Sequence, residues 1–184
     1  MASKKMIDAL NDQINAETYS AYLYLAMSAH CSFTGLRGAA TWFFVQTQEE
    51  MTHAMRIYAY IAKVGGHVVL KAIEKPPVEF KSLTDMYEAA LKHEKYITGR
   101  INDLANLATA EKDHATGTFL QWFVTEQTEE EQNDMDVLAQ LKLAGKDGSA
   151  LFMIDNELGT RTFAMPPDLA LPGMPAAGGA AAGA

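Results

Sequence analysis

Several things are scarce in this chain, and each scarcity excludes something. There is one cysteine in 184 residues, Cys31, so no intramolecular disulfide can form, and a reducing compartment is expected. A single thiolate also argues against a structural zinc site. Positive charge is short: 15 Lys and Arg against 23 Asp and Glu leave a net charge of −8. A nucleic-acid binder needs a basic patch or stripe, so no nucleic-acid partner is expected. No stretch approaches the roughly 18 consecutive apolar residues of a membrane helix, so no membrane partner is expected either. The opening "MASKKMIDALNDQ" is broken by Asp8, Asn11 and Asp12 and does not read as a signal peptide. The expectation is a soluble, cytoplasmic protein, one domain with a sizeable core.

Glycine and proline are missing from long stretches, and this outlines the helices. From Lys4 to about Phe33 there is neither, with Ser3 as N-cap. After "TGLRG" (34–38), a second helix runs from about Gly38 to Val64 and stops at Gly65-Gly66. A third follows the cap residue Ser82 and reaches about Ala110; "EKDHATG" (111–117) leads into a fourth ending near Leu143. Short links make helices one and two, and three and four, antiparallel neighbours. The link from Gly65 to Lys81 carries Pro76-Pro77 and is longer. A 28-residue helix is about 42 Å long, and about 17 extended residues reach roughly 55 Å, so this segment can span the bundle. The spacing predicts an all-α four-helix bundle with one long crossover, and "DGSALFMIDNELG" (147–159) a short fifth helix with an apolar side of Leu151, Phe152, Ile154 and Leu158. The domain is placed at 1–160. Residues 161–184 read as a flexible tail, because "PPDLALPGMPAAGGAAAGA" lacks the large side chains of a packed element.

Positions alternating three and four apart give four seams. They are Ile7, Leu10, Ile14, Glu17, Ala21, Tyr24; Phe43, Gln46, Glu50, His53, Ile57, Tyr60, Val64; Tyr87, Ala90, Glu94, Ile97, Ile101, Leu104; and Leu120, Phe123, Gln127, Glu130, Asp134, Val137, Leu141. Each is largely apolar and carries an ionisable group near its middle: Glu17, Glu50 with His53, Glu94, and Glu130 with Gln127 one turn before it. A single Glu on a seam reads equally well as a rim residue, and a lone His as a satisfied core residue. Four carboxylates and an imidazole at one level are a different matter, because unpaired buried charge is costly. A divalent metal removes that cost. Oxygen-rich ligands with one imidazole suit iron or manganese, with zinc as an adventitious occupant. Four carboxylates match two divalent ions, with Glu50 as the bridge.

The segments "NAETYSAYLY", "QEEMTHAMR", "KHEKYITGRI" and "FLQWFVTEQTEEE" together resemble a bacterial non-haem ferritin, over about residues 4 to 160. Helix four has Gln127-x-x-Glu130 where bacterioferritin and rubrerythrin carry Glu-x-x-His, which favours ferritin over both. The resemblance implies a ferritin-like bundle and a ferroxidase. One iron would sit on Glu17, Glu50 and His53, the second on Glu50, Glu94 and Glu130, with Gln127 as a neighbour. Fe(II) would be oxidised by O2 or H2O2 and stored as a ferric oxyhydroxide mineral inside a shell of 24 subunits, with the fifth helix at the four-fold axes.

Further residues follow from the same resemblance. Tyr24 would supply an electron, though its spacing fits a core aromatic equally. Glu49, Glu126 and Glu129, with Glu130 shared, would form a third iron site, with a solvated acidic face as the alternative. Met51 stands where bacterioferritins ligate haem, but with Gln127 and Glu130 in helix four no haem is expected. Two alternatives remain: a bacterioferritin-like haem-containing ferritin, and a di-iron peroxidase that stores nothing. The latter usually needs a rubredoxin-like four-cysteine site, which this chain lacks.

Overall fold

Serine and aspartate side chains set where the helices begin. In this computed structural model, which describes residues 2–167 and Leu169, α1 spans Lys4–Thr34, α2 Arg37–Lys63, α3 Leu83–Ala110, α4 His114–Ala144 and α5 Gly148–Leu158, and no strand occurs among the described residues. The Ser3 hydroxyl accepts from the Met6 amide, Ser82 from Asp85, Asp113 from Thr116, and Asp147 from Ser149 and Ala150. Each satisfies backbone N–H groups that the first helical turn leaves without partners. α1 ends at Gly35, whose φ of +89° favours glycine, and the Leu36 amide closes onto the Cys31 carbonyl.

The long connection runs the length of α1, and its hydrogen bonds trace the path. Asn11 Nδ2 donates to the His67 carbonyl (3.0 Å) and the Val69 amide donates back to Asn11 Oδ1 (2.9 Å). Further on, Asn15 Nδ2 donates to the Ala72 carbonyl (3.0 Å), and the rings of His30 and Phe80 meet edge to face at 5.4 Å. Residue numbers rise together on both segments, so the crossover lies parallel to α1 and delivers the chain to the opposite end. Contacts between α1 and α3 run the other way, from Cys31–Met86 through Tyr24–Glu94 to Gln13–Arg100. α3 is thus antiparallel to α1 and parallel to α2, and the crossover topology expected from the linker length is the one observed. No described helix is long and apolar enough to cross a membrane.

The core comes in two halves. One, towards α5, is built from Leu23, Met27, Cys31, Trp42, Phe43, Met86, Tyr87, Val137 and Leu141. The other holds Met6, Leu10, Ile14, Ile57, Ile61, Ile97, Ile101, Leu120 and Phe123. At the far end the seams drift: Met6 and Ile61 are fully buried, whereas Ile7, Tyr60 and Val64 are half-buried. An α-helix slips about 20° per heptad against a strict seven-residue repeat, which moves the buried stripe over a helix this long.

α5 docks on the start of α2. The α2 cap position, Leu36, has no side-chain acceptor; Asp155 of α5 takes that role, accepting from the Gly38 (3.1 Å) and Ala39 (2.8 Å) amides. Gly38 is there because nothing larger fits: a Cβ would lie 1.5 Å from the Asp155 carbonyl oxygen. Ile154 and Leu158 pack into the first core half, while Phe152 (66 % exposed) and Met153 (71 %) face outward. The apolar residues of α5 therefore divide between two sides, because docking on α2 claims Ile154 and Leu158. Arg161, placed by the sequence at the head of the tail, sits on α2: its guanidinium lies 4.4 Å over the Trp42 ring. Within the expected tail, Asp168 and residues 170–184 lie outside the described residues.

Candidate metal centre

Between the two core halves the apolar packing is interrupted by one polar layer. Glu17, Glu50, His53, Glu94, Gln127 and Glu130 are all buried, at 1 % to 4 % exposure. Each of the four long helices contributes, from the mid-seam positions that the sequence singled out. Ligand atoms of Glu17, Glu50 and His53 lie within 4.8 Å of one another. His53 Nδ1 is 3.5 Å from Glu50 Oε2.

The supporting hydrogen bonds engage only one oxygen each of Glu17 and Glu50. Glu17 Oε1 accepts from Gln13 Nε2 (2.8 Å), and Glu50 Oε1 from Gln46 Nε2 (3.1 Å). Their other oxygens, Glu17 Oε2 and Glu50 Oε2, are buried without a hydrogen-bond partner. Buried acceptors left in that state are costly, and a metal ion could satisfy them. Glu130 Oε2 also accepts from Gln46 Nε2 (2.8 Å). Glu94 uses both oxygens on neighbours, accepting from the Tyr24 hydroxyl and from Gln127 Nε2 (3.1 Å). Gln127 is thus an amide donor to Glu94, and Tyr24, fully buried, points its phenol at the same carboxylate.

Burial and mutual repulsion raise these acids above the usual carboxylate range. Burial first, then the Glu50 charge, pushes Glu17 up to about 8. Glu50 is raised well above the usual carboxylate range by burial and by Glu94 and Glu130, and Glu130 is pushed up to about 7 by burial and Glu94. Asp134, one turn beyond Glu130, reaches about 9 for the same reasons, and its Oδ2 has no partner. A divalent cation reverses this, replacing protons with charge the site can hold.

The four acids of the possible third site are placed unevenly. A second group of close ligand atoms joins His53, Glu126 and Glu130, with His53 Nε2 4.0 Å from Glu126 Oε1. Glu49 is half-buried beside them, and its Oε2 accepts from Arg161 Nη2. Glu129 is exposed and falls outside both groups of close ligand atoms. Met51 is 38 % exposed and outside the layer. Trp122 packs edge-on against His53 at 5.4 Å.

Four residues escaped the sequence reading as site components: Gln13, Gln46 (noted only as a seam position), Arg100 and Arg161. Gln13 had a signal, since it lies four residues before Glu17 as Gln46 lies four before Glu50, so each amide falls one turn from its carboxylate. The arginines had none, being on other elements.

A four-helix bundle with one long crossover, divided by a buried layer of carboxylates and one imidazole, defines a ferritin-like metal-site protein. Residues 7–144 match the family model for the ferritin-like domain. The chain belongs to the ferritin family. A probable bacterial non-heme ferritin-like protein of Haemophilus influenzae is 43 % identical over 159 residues, 86 % of this chain and 96 % of that protein. The bacterial non-heme ferritin of Escherichia coli is 42 % identical over 160 residues, 87 % of this chain and 97 % of that one. An engineered closed form of the Archaeoglobus fulgidus ferritin superposes with a TM-score of 0.88 at 46 % identity, covering 89 % of this chain and 100 % of that chain.

Proposed function

We propose that this chain is an iron-storage ferritin. It oxidises Fe(II) at a paired site inside each subunit, using O2 or H2O2, and deposits ferric oxyhydroxide in a hollow shell of 24 copies. The observation that supports this best is the pair of unpartnered buried oxygens, Glu17 Oε2 and Glu50 Oε2, beside His53 in a layer that also holds Glu94 and Glu130. Hard carboxylates with one imidazole favour iron and stabilise the ferric over the ferrous state.

In this reading Glu17, Glu50 and His53 take one Fe(II), and Glu50, Glu94 and Glu130 the other. Two Fe(II) lose one electron each. O2 accepts both, with two protons, to leave H2O2, or H2O2 accepts them to leave two waters. Gln13 and Gln46 hold the Glu17 and Glu50 carboxylates by one oxygen, leaving the other free to swing between terminal and bridging positions. Tyr24 can supply a further electron. Its phenol stays protonated, raised well above 10 by burial and the Glu94 charge, so electron loss requires a proton acceptor. Glu94 is that acceptor. Phe152 and Met153 on α5 are the surface we assign to contacts between subunits, and the single free cysteine, Cys31, fits the reducing cytoplasm we assign to the protein.

The test is aerobic Fe(II) addition to the assembled protein. Rapid oxidation and a soluble iron-loaded particle are expected, and both should fail in Glu50→Ala and His53→Ala. Equal rates in wild type and variants would refute the assignment.

A further inference from the structure

Two relays of guanidinium, amide and carboxylate lead into the centre. In one, Arg100 Nε donates to Gln13 Oε1 (2.8 Å) and Gln13 Nε2 donates to Glu17. In the other, Arg161 Nη1 donates to Gln46 Oε1 (2.7 Å), and Gln46 Nε2 donates to both Glu50 and Glu130. An amide whose oxygen is held by a guanidinium must turn its N–H groups to the carboxylates, so both arginines orient the layer. Arg161 does more. Its Nη2 donates to Glu49 Oε2, and its face lies on Trp42.

We propose that Arg161 is a built-in counter-ion for the outer cation site at Glu49: a third cation must displace its guanidinium from that carboxylate, so the buried pair fills first. The inference rests on the reading of the buried layer as an iron site. A guanidinium and a dication on the same half-buried carboxylate repel each other, so one excludes the other. The planar fork lets Arg161 hold Gln46 and Glu49 through separate nitrogens while its face lies on Trp42, a fixed geometry that a lysine ammonium does not supply.

The structure also provides somewhere for the guanidinium to go. Arg161 borders an open cleft of about 370 Å³ lined by Trp42, Asp136 and Glu157 among others, so two further carboxylates are at hand. Its backbone is fixed only three residues beyond the end of α5, which Asp155 and Gly38 clamp to α2. The side chain can thus swing from Glu49 to the cleft while the chain stays put. Binding competition is reciprocal, so removing the guanidinium should tighten the outer site by about tenfold.

The experiment is an oxygen-free titration of the assembled protein with Zn(II), followed by calorimetry and tryptophan fluorescence. The chain has two tryptophans, so W122F, carried in every sample, leaves Trp42 as the reporter. The expected result is two tight equivalents that leave Trp42 emission unchanged, then a weaker third that changes it. R161Q should abolish the Trp42 step and tighten the third equivalent about tenfold, with R161K nearer to wild type than R161Q. An unchanged third affinity in R161Q, a Trp42 response to the first two equivalents, or the reverse order of the variants would overturn the proposal. Absence of any stoichiometric binding in wild type would overturn the iron-site reading with it. If R161Q does not assemble, E49Q decides: metal-free Trp42 emission should shift as Arg161 loses its anchor, and an unchanged spectrum counts against the proposal.

Discussion

Replacing Glu17 by Gln should stabilise the metal-free protein, although it destroys a proposed ligand. Glu17 is buried, and its carboxyl is raised from 4.5 to about 8 by burial and then by Glu50. Because the folded value is raised, its contribution to stability is fully present below 4.5 and is lost as pH rises through about 8. At pH 7 the native protein must keep a proton that the unfolded chain has released, which costs about 3 kcal/mol. At pH 5 the same term is under about 1 kcal/mol. Gln has nearly the shape of the protonated acid and no charge to desolvate. In a chain of this size about 3 kcal/mol corresponds to roughly a 10 °C rise in thermal midpoint. The assay is scanning calorimetry of wild type and Glu17→Gln in chelator across pH 5 to 8, then with Zn(II). The gap should widen with pH in chelator and reverse when metal is added, because wild type gains the larger binding term. A variant that melts below wild type in chelator at pH 7, or a gap independent of pH, would refute the reasoning.

Other outcomes follow from the same geometry. Metal binding at pH 6.5 should release protons, because Glu17 at about 8 and Glu130 at about 7 are largely protonated there; calorimetry in buffers of different ionisation enthalpy should find fewer released at pH 9. Tyr24→Phe removes the hydroxyl that donates to Glu94, lowering stability by about 1–2 kcal/mol; stopped-flow oxidation should slow while metal stoichiometry stays the same, and unchanged kinetics would remove the electron-donor role. Gly38→Ala drives a Cβ to 1.5 Å from the Asp155 carbonyl, so α5 must lift, at about 3 kcal/mol. A wild-type melting midpoint and normal assembly would show that the docking is not tight.

The bundle was legible because its signals are local. Missing glycine and proline, capping serines and three-four spacing fixed four helices and the linker length fixed their directions, so Glu17, Glu50, His53, Glu94, Gln127 and Glu130 arrived in one layer as expected. Where the sequence fell short, the cause was contact between distant elements. The inward face of α5 is chosen by Asp155 reaching the open amides at the start of α2, and no periodicity within eleven residues reveals that. Arg161 looked like the start of a tail, since its partners Trp42, Gln46 and Glu49 lie more than a hundred residues away. Ile7 and Val64 were placed by a rigid repeat that a real helix outruns over its length.

The central claim is that the buried layer holds two iron ions bridged by Glu50. Its most direct test is a crystal soaked anaerobically in Fe(II), with anomalous scattering measured at the iron edge. The expected result is two peaks per subunit inside the bundle, one against Glu17, Glu50 and His53 and one against Glu50, Glu94 and Glu130. Peaks confined to the exposed acids, with none beside Glu17 Oε2 and Glu50 Oε2, would contradict it.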